Sequence, residues 1–116
     1  MDKLKELLSS TPEKIEFDQV MQLIEENYIY TPTRFTNGHG NSQVINEAGN
    51  NEGSCKIFSF GQLNNLDEKQ TLACFGNYYR EDVLEHPENT DHANIRNFIQ
   101  SGWSGIHFDG IALTEK

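Results

Sequence analysis

The chain has no long hydrophobic run and little basic charge. Its 116 residues include nine Lys and Arg against eighteen Asp and Glu, which gives a formal net charge of −9. Proteins that bind nucleic acid or an anionic membrane surface normally present a basic face, and this sequence offers none. Its apolar runs are also far shorter than the roughly 20 residues that cross a bilayer as a helix. The composition therefore predicts an acidic, soluble protein with no nucleic-acid partner and no membrane partner.

Cysteine is scarce as well. Cys55 and Cys74 are the two cysteines of the chain, and two thiols in a chain long enough to build its own core are typical of a reducing compartment. The N-terminus is charged and lacks the apolar stretch of a secretory signal peptide. These features predict a cytoplasmic protein. Secretion by a type III system stays open, because its signal has no composition that identifies it.

The strong signatures of catalysis and metal binding are missing from the sequence. It contains no Cys-x-x-Cys, no His-Glu-x-x-His, no Gly-x-Ser-x-Gly and no phosphate-binding Gly-Lys-Ser/Thr motif. Its four histidines match no spacing that is typical of metal ligands. We therefore expect no bound metal and no cofactor.

Apolar residues at helical spacing predict a mainly α fold. The clearest amphipathic pattern follows Pro12, a residue that fits the first position of a helix. Asp67 and Gln70 are spaced as a capping box at the start of another helix. Helices are expected over residues 2–9, 12–28, 54–66, 67–86 and 91–101. The sequence thus predicts a single compact domain, 1–116, of four or five helices.

The segment from Phe35 to Ser54 is expected to be a long Asn/Gly-rich loop. Five Asn and four Gly fall within it, and both residue types tolerate positive φ and build turns. Val44 and Ile45 alone suggest a short β element. Long loops in compact domains are often functional or disordered. Residues 35–56, together with the helix that carries His92–Arg96, are therefore the candidate binding surface.

The end of this segment suggests a site for a ligand anion. If Ser54 caps a helix, the first backbone N–H groups point outward beside Lys56, which suits a phosphate or carboxylate. An ordinary cap beside a solvated lysine explains the same residues. Asn50 and Arg96 complete the candidate ligand-binding residues. Arg96 lies one turn from His92 and could pair with a ligand carboxylate, or it could hold its helix to the Asn/Gly-rich loop.

Cys55 and His92 are the candidate catalytic residues. A helix N-terminus lowers the pKa of a thiol, and an imidazole in reach could accept the proton of a cysteine nucleophile. The alternative is that Cys55 is a small core residue and His92 a surface residue. Spacing along the chain does not show whether two side chains meet, so both interpretations stay open.

Several short motifs spread over most of the chain form a recognisable set. They are Tyr28-Ile29-Tyr30-Thr31-Pro32-Thr33, Gly53-Ser54-Cys55-Lys56-Ile57-Phe58, Tyr78-Tyr79-Arg80, Asn94-Ile95-Arg96-Asn97-Phe98 and Gly102-Trp103. As a set they resemble the HopJ-like family of type III effectors over about residues 15–113. The resemblance implies a bacterial, effector-like protein of unknown biochemical activity that acts by binding a protein or a small ligand. A cysteine-nucleophile enzyme that uses Cys55 and His92 is the alternative, and the family supplies no catalytic residues.

Overall fold

Helices form most of the fold, as the sequence predicts. The computed structural model describes residues 2–116, and within them it shows five α-helices and five short strands. The helices are α1 (Asp2–Ser10), α2 (Phe17–Asn27), α3 (Glu52–Leu63), α4 (Glu68–Ala73) and α5 (Ala93–Ser101). The strands are β1 (Tyr28–Tyr30), β2 (Phe35–Asn37), β3 (Val44–Asn46), β4 (His107–Phe108) and β5 (Leu113–Glu115). Of the described helices, none is both long and apolar enough to cross a membrane.

Two small antiparallel sheets connect parts of the chain that are far apart in sequence. β1 pairs with β5, so that Tyr28 lies opposite Glu115. β2 is the central strand of the other sheet, in the order β3-β2-β4. Phe35 of β2 lies opposite Asn46 of β3 on one side and Phe108 of β4 on the other. The second sheet therefore joins β4, near the C-terminal end, to two strands from the first half of the chain.

The helix predicted over residues 12–28 is interrupted near its start. A 3-10 turn covers Pro12–Lys14, and the buried residue Ile15 is extended, with φ −74° and ψ 134°. Arg80 explains the break, because its guanidinium donates to the Ile15 carbonyl at 2.7 Å and to the Pro12 carbonyl at 3.4 Å. A distant cation thus binds carbonyls that a continuous helix would use for its own ladder, and α2 begins only at Phe17.

The helix predicted over residues 67–86 is also divided. Its capping box is confirmed: the Gln70 N–H donates to Asp67 Oδ1 at 2.7 Å, and the Asp67 N–H donates to Gln70 Oε1 at 3.0 Å. The chain then turns at Gly76, which has φ +61°, and continues as a π-helical turn, Tyr78–Val83. A Cβ atom at Gly76 would lie 2.7 Å from the backbone nitrogen of Phe17. The backbone of Phe17 thus passes close to Gly76 at the point where the predicted helix is divided.

The predicted Asn/Gly-rich loop is not confirmed, because regular structure fills most of that segment. β2, a 3-10 turn (Gly40–Ser42), β3 and the start of α3 follow one another there. Asn37 and Asn46 are buried strand residues with 0% and 1% exposure. Their amides bond to other buried groups, so these asparagines serve the interior and not a flexible surface loop.

Phe58 of α3 lies at the centre of the hydrophobic core. Its ring centroid is 5.9 Å from that of Phe35, 5.5 Å from Phe75 and 4.9 Å from Phe98. Trp103 packs edge-on against Phe98 at 5.0 Å. Because large aromatic rings bury much area at low conformational cost, this cluster fixes α3 and α5 against the sheet β3-β2-β4.

Candidate functional site

A cleft of about 320 Å³ lies where the first turns of α3 and α5 meet. Phe17 and Tyr78 form an aromatic wall, with their ring centroids 5.0 Å apart. The two helices and their preceding residues contribute Asn51, Gly53, Ser54, His92, Ala93 and Asn94. Among the described residues that line this cleft there is no Asp, Glu, Lys or Arg. Its electrostatics therefore depend on backbone groups, hydroxyls, amides and one imidazole.

Both helices begin after a residue in the left-handed conformation. Asn51 precedes α3 with φ 52° and ψ 48°, and His92 precedes α5 with φ 52° and ψ 50°. Within the described chain, neither side chain accepts a hydrogen bond from the first turn of its helix. The first N–H groups of a helix have no partner inside the helix and carry the positive end of its dipole. Two such ends at one cleft favour a negatively charged ligand group.

A buried amide joins the two helix starts. Asn46 Oδ1 accepts hydrogen bonds from Asn51 Nδ2 at 2.7 Å and from Asn94 Nδ2 at 2.9 Å. Asn46 Nδ2 donates to Asn94 Oδ1 at 3.1 Å, and Asn37 Nδ2 donates to the same oxygen at 3.1 Å. Buried amides are costly unless they are bonded. This network therefore holds α3 and α5 at a fixed separation across the cleft.

His92 is paired with two carboxylates. Its Nε2 lies 3.0 Å from Asp82 Oδ2 and 3.9 Å from Asp91 Oδ2, and its ring packs on Tyr78 with 5.2 Å between centroids. A carboxylate only accepts, so Nε2 carries a proton and Nδ1 is the nitrogen left for other partners. These groups do not make a metal centre: in residues 2–116 no group of three or more His, Cys, Asp or Glu side chains could hold an ion.

Arg96 lies behind the cleft and not in its lining. Its Nε donates to the Asp91 carbonyl and its Nη2 to Asp91 Oδ1, both at 2.6 Å. A further bond of 3.3 Å runs from Nη2 to the Asp82 carbonyl. The hydrogen bond from Arg96 lowers the pKa of the Asp91 carboxyl. Arg96 thus ties α5 to the segment that presents both carboxylates to His92, and not to the Asn/Gly-rich segment.

Cys55 is separate from this cleft. The side chain is 1% exposed, and its Sγ donates to the Thr33 carbonyl at 3.6 Å. Burial raises the pKa of the thiol, which opposes the helix-start effect expected from the sequence. His92 binds Asp82 instead, and no hydrogen bond among the described residues joins His92 to Cys55.

The candidate ligand-binding residues are divided by the structure. Ser54 lines the cleft, together with His92 from the candidate catalytic pair. Lys56 is directed elsewhere, with its Nζ 4.8 Å from the centroid of the Tyr30 ring. Asn50 is exposed in the turn before α3, where its N–H donates to the Glu47 carbonyl at 3.0 Å.

Sequence reasoning missed Tyr78, and it did not single out Ala93, Asn46, Asn51 or Asn94 within the segments that it proposed as a binding surface. Tyr78 and Asn94 do lie in motifs of the recognised set, which was the one available signal. The Asn46–Asn94 contact spans 48 positions, and no local pattern indicates a bond of that kind. The starts of α3 and α5, which form the two sides of the cleft, come together only in the folded chain.

Comparison with known proteins gives both a family and a solved relative. The family model described as HopJ type III effector protein matches residues 1–113. The crystal structure of the unknown function protein VPA0580 is similar with a TM-score of 0.94 and 57% sequence identity. That alignment covers 100% of this chain and 93% of the other. No curated protein matches the chain. The resemblance seen in the short motifs is confirmed over nearly the whole chain.

Proposed function

The chain belongs to the HopJ type III effector protein family, and on that premise we propose that it is a single-domain binding protein for a small anionic ligand. The site is the cleft between the first turns of α3 and α5. One observation carries the proposal: two helix starts without a side-chain cap, as far as residues 2–116 are described, meet at one cleft with no carboxylate in its lining. The ligand group is a phosphate or a carboxylate.

The chemistry of the lining supports this ligand class. Each helix start is equivalent to about half a positive charge, and Gly53, Ser54 and Asn94, from the first turns of the two helices, line the cleft. The Ser54 hydroxyl adds a donor. Phe17 and the half-exposed Tyr78 offer an apolar surface beside these donors. A ligand that carries its anionic group on a flat or apolar body fits both parts of the cleft.

The position of Cys55 supports binding over the alternative of a cysteine-nucleophile enzyme. A nucleophile must be accessible and within hydrogen-bond reach of its base. Cys55 is buried and bonded to the Thr33 carbonyl, whereas His92 is bonded to Asp82. No feature of the cleft depends on the thiol.

The test is a titration of the amide NMR signals with phosphate and, separately, with acetate. We expect the backbone signals of Gly53, Ser54, Ala93 and Asn94 to shift together and to saturate with one dissociation constant. The signal of Gln19, in the capping-box turn of α2, should stay in place. The stronger of the two titrations identifies the anionic group as phosphate or carboxylate.

Ala93 allows a matched pair of variants. Ala93→Asp places a carboxylate at the start of α5, where it competes with the ligand anion for the cleft. The helix dipole stabilises a negative charge at this end, so the substitution should not destabilise the fold. Ala93→Asn has nearly the same size without the charge. We expect Ala93→Asp to remove binding at unchanged stability and Ala93→Asn to retain most of it. Shifts spread evenly over the surface, or equal binding by both variants, would rule out this site.

Delivery through a type III secretion system from a bacterial cell is a further part of the proposal. The description of the family supports it. The full chain fused to a translocation reporter should give signal inside host cells from a secretion-competent strain and none from a strain with a disabled secretion apparatus. Equal signal from both strains, or none from either, would contradict delivery by this route.

A further inference from the structure

We infer that the ligand of the cleft carries an aromatic ring, which packs against the rings of Phe17 and Tyr78. The inference rests on the proposed function, which assigns the anionic group of the ligand, and it adds the body that carries this group. The ligand class is therefore an aryl carboxylate or an aryl phosphate. The basis is the arrangement of rings in the lining of the cleft, and not the helix starts.

Three rings follow one another among the residues that line the cleft. The Phe17 ring lies edge-on to the Tyr78 ring, at 75° with 5.0 Å between centroids. The His92 ring follows Tyr78 at 5.2 Å and 40°. Both distances fall in the roughly 4.5–7 Å range of favourable aromatic pairs. Tyr78, the middle ring of the three, is still 43% exposed, so it has area left for one more ring.

The charge distribution of a ring separates an aromatic body from an aliphatic one. An aromatic ring has a negative face and a positive edge, and it gains energy where the edge of one ring meets the face of another. A saturated ring of similar size gains only the burial of its apolar area. Because the wall of Phe17 and Tyr78 consists of rings, it favours an aromatic body over a saturated one.

The rest of the lining suits the same body. Val44, Phe75 and Ile95 add apolar side chains, and among the described residues of the lining none is Asp, Glu, Lys or Arg. A ring that enters the cleft therefore covers no charged side chain of the lining, which would be costly. The cleft volume of about 320 Å³ is at the lower end of the range of small-molecule pockets, roughly 300–1,000 Å³. This size fits a small aromatic compound.

The aromatic wall is held in place by its neighbours. A Cβ atom at Gly53 would lie 2.8 Å from Phe17 Cζ, and one at Gly76 would lie 2.7 Å from the Phe17 backbone nitrogen. Both glycines thus allow Phe17 to lie where it does. Arg80 holds the chain just before Phe17 through its 2.7 Å bond to the Ile15 carbonyl. A wall that is already ordered loses little conformational freedom when a ligand binds, and this favours affinity.

The experiment compares three carboxylates in NMR titrations of the full chain at neutral pH. Benzoate and cyclohexanecarboxylate have the same anionic group and similar size, but only benzoate is aromatic. Acetate has the anionic group without a ring. We expect benzoate to bind about fivefold more tightly than cyclohexanecarboxylate, the ratio that a ring contact of about 1 kcal/mol produces. Acetate should bind most weakly. Nuclear Overhauser effects should join the benzoate protons to the rings of Phe17 and Tyr78.

Tyr78→Leu and Tyr78→Phe form a matched pair of variants, because both are apolar and only phenylalanine keeps the ring. Tyr78→Leu should lose the preference for benzoate over cyclohexanecarboxylate, and Tyr78→Phe should retain it. Phe17→Leu should reduce the same preference from the other half of the wall. The ratio of the two affinities is the readout, since a general loss of stability would weaken both ligands alike. Thermal unfolding of each variant checks that it is folded.

The outcomes separate the two proposals. Equal affinities of benzoate and cyclohexanecarboxylate overturn ring recognition and leave anion binding in place. So does a preference that survives in folded Tyr78→Leu, or one that Tyr78→Phe loses as well. Benzamide has the same ring without the charge. If benzamide shifts the signals of the cleft while phosphate and acetate are silent, the proposed function is overturned and ring recognition stands. Silence of all these compounds overturns both proposals. A preference for benzoate that is lost only without the ring supports both.

Discussion

Asn46 and Asn94 exchange side-chain hydrogen bonds in the interior of the protein. Asn46 Nδ2 donates to Asn94 Oδ1 at 3.1 Å, and Asn94 Nδ2 donates to Asn46 Oδ1 at 2.9 Å. The pair joins β3 to the first turn of α5, and Asn51 adds α3 through a 2.7 Å bond to the same Asn46 oxygen. Two helices that start far apart in sequence are thereby held to one strand.

Replacement of Asn46 by Leu should destabilise the protein strongly. The variant keeps the volume but leaves the buried Asn94 amide without its partner, at about 1–3 kcal/mol, and it also removes the bonds of Asn46 to the exposed Asn51 and to the Phe35 carbonyl. We expect a loss of about 2–4 kcal/mol in the free energy of unfolding, measured by denaturant titration. The control is Asn50→Leu, at an exposed turn position, which should change the free energy of unfolding by less than about 0.5 kcal/mol. Equal effects of the two variants would show that the network does not contribute.

The contact between Arg96 and Asp91 gives stability a defined pH dependence. Arg96 lowers the pKa of Asp91 below its ordinary value of 3.8. The stabilisation is therefore fully present above that value and is lost as the pH falls through the lower pKa of the folded state. Arg96→Gln should lower the melting temperature at about pH 7, and the difference from the unchanged protein should narrow towards about pH 2.5. A difference that stays constant over this range would mean that Arg96 acts through its bonds to carbonyls alone.

Local patterns in the sequence predicted the parts of the fold that depend on neighbouring residues. The capping box of Asp67 and Gln70 is formed. The breaks were not predictable in this way. The carbonyl of Ile15 is bound by a guanidinium 65 positions away, and a helical pattern cannot reveal such a competitor.

The candidate site was predicted in part for the same reason. Ser54 could be named because it lies near an expected helix start, and His92 because an imidazole is a candidate base for a cysteine nucleophile. The left-handed backbone of Asn51 and of His92 was not expected, and α5 begins at Ala93, two residues after the predicted start of the helix over 91–101. These conformations are unfavourable for most residues. The side chain of Asn51 is bonded to Asn46 and that of His92 to Asp82, and both contacts form only in the folded chain.

Gly76 should tolerate no side chain. Its φ of +61° is strained for an L residue, and a Cβ would lie 2.7 Å from the Phe17 nitrogen. Gly40 has a similar φ of +56° with nothing within 4 Å of its Cβ position. Gly40→Ala should therefore lower the free energy of unfolding by about 1 kcal/mol, through backbone strain alone. Gly76→Ala should lower it by about 1–3 kcal/mol more, because the new Cβ also clashes with Phe17. Unfolding free energies that match between the two variants would contradict the close approach to α2.

The two thiols should be inert in the folded protein. Burial raises the pKa of Cys55, and it raises the pKa of Cys74 to about 12, so neither forms the reactive thiolate at neutral pH. We expect a chromogenic thiol reagent to react with neither cysteine until denaturant is added, and then with both. Cys74→Ser isolates the signal of Cys55. Rapid labelling of native Cys55 that is lost in His92→Asn would instead show that a second conformation brings the thiol and the imidazole together. That result would favour the cysteine-nucleophile enzyme over the binding protein.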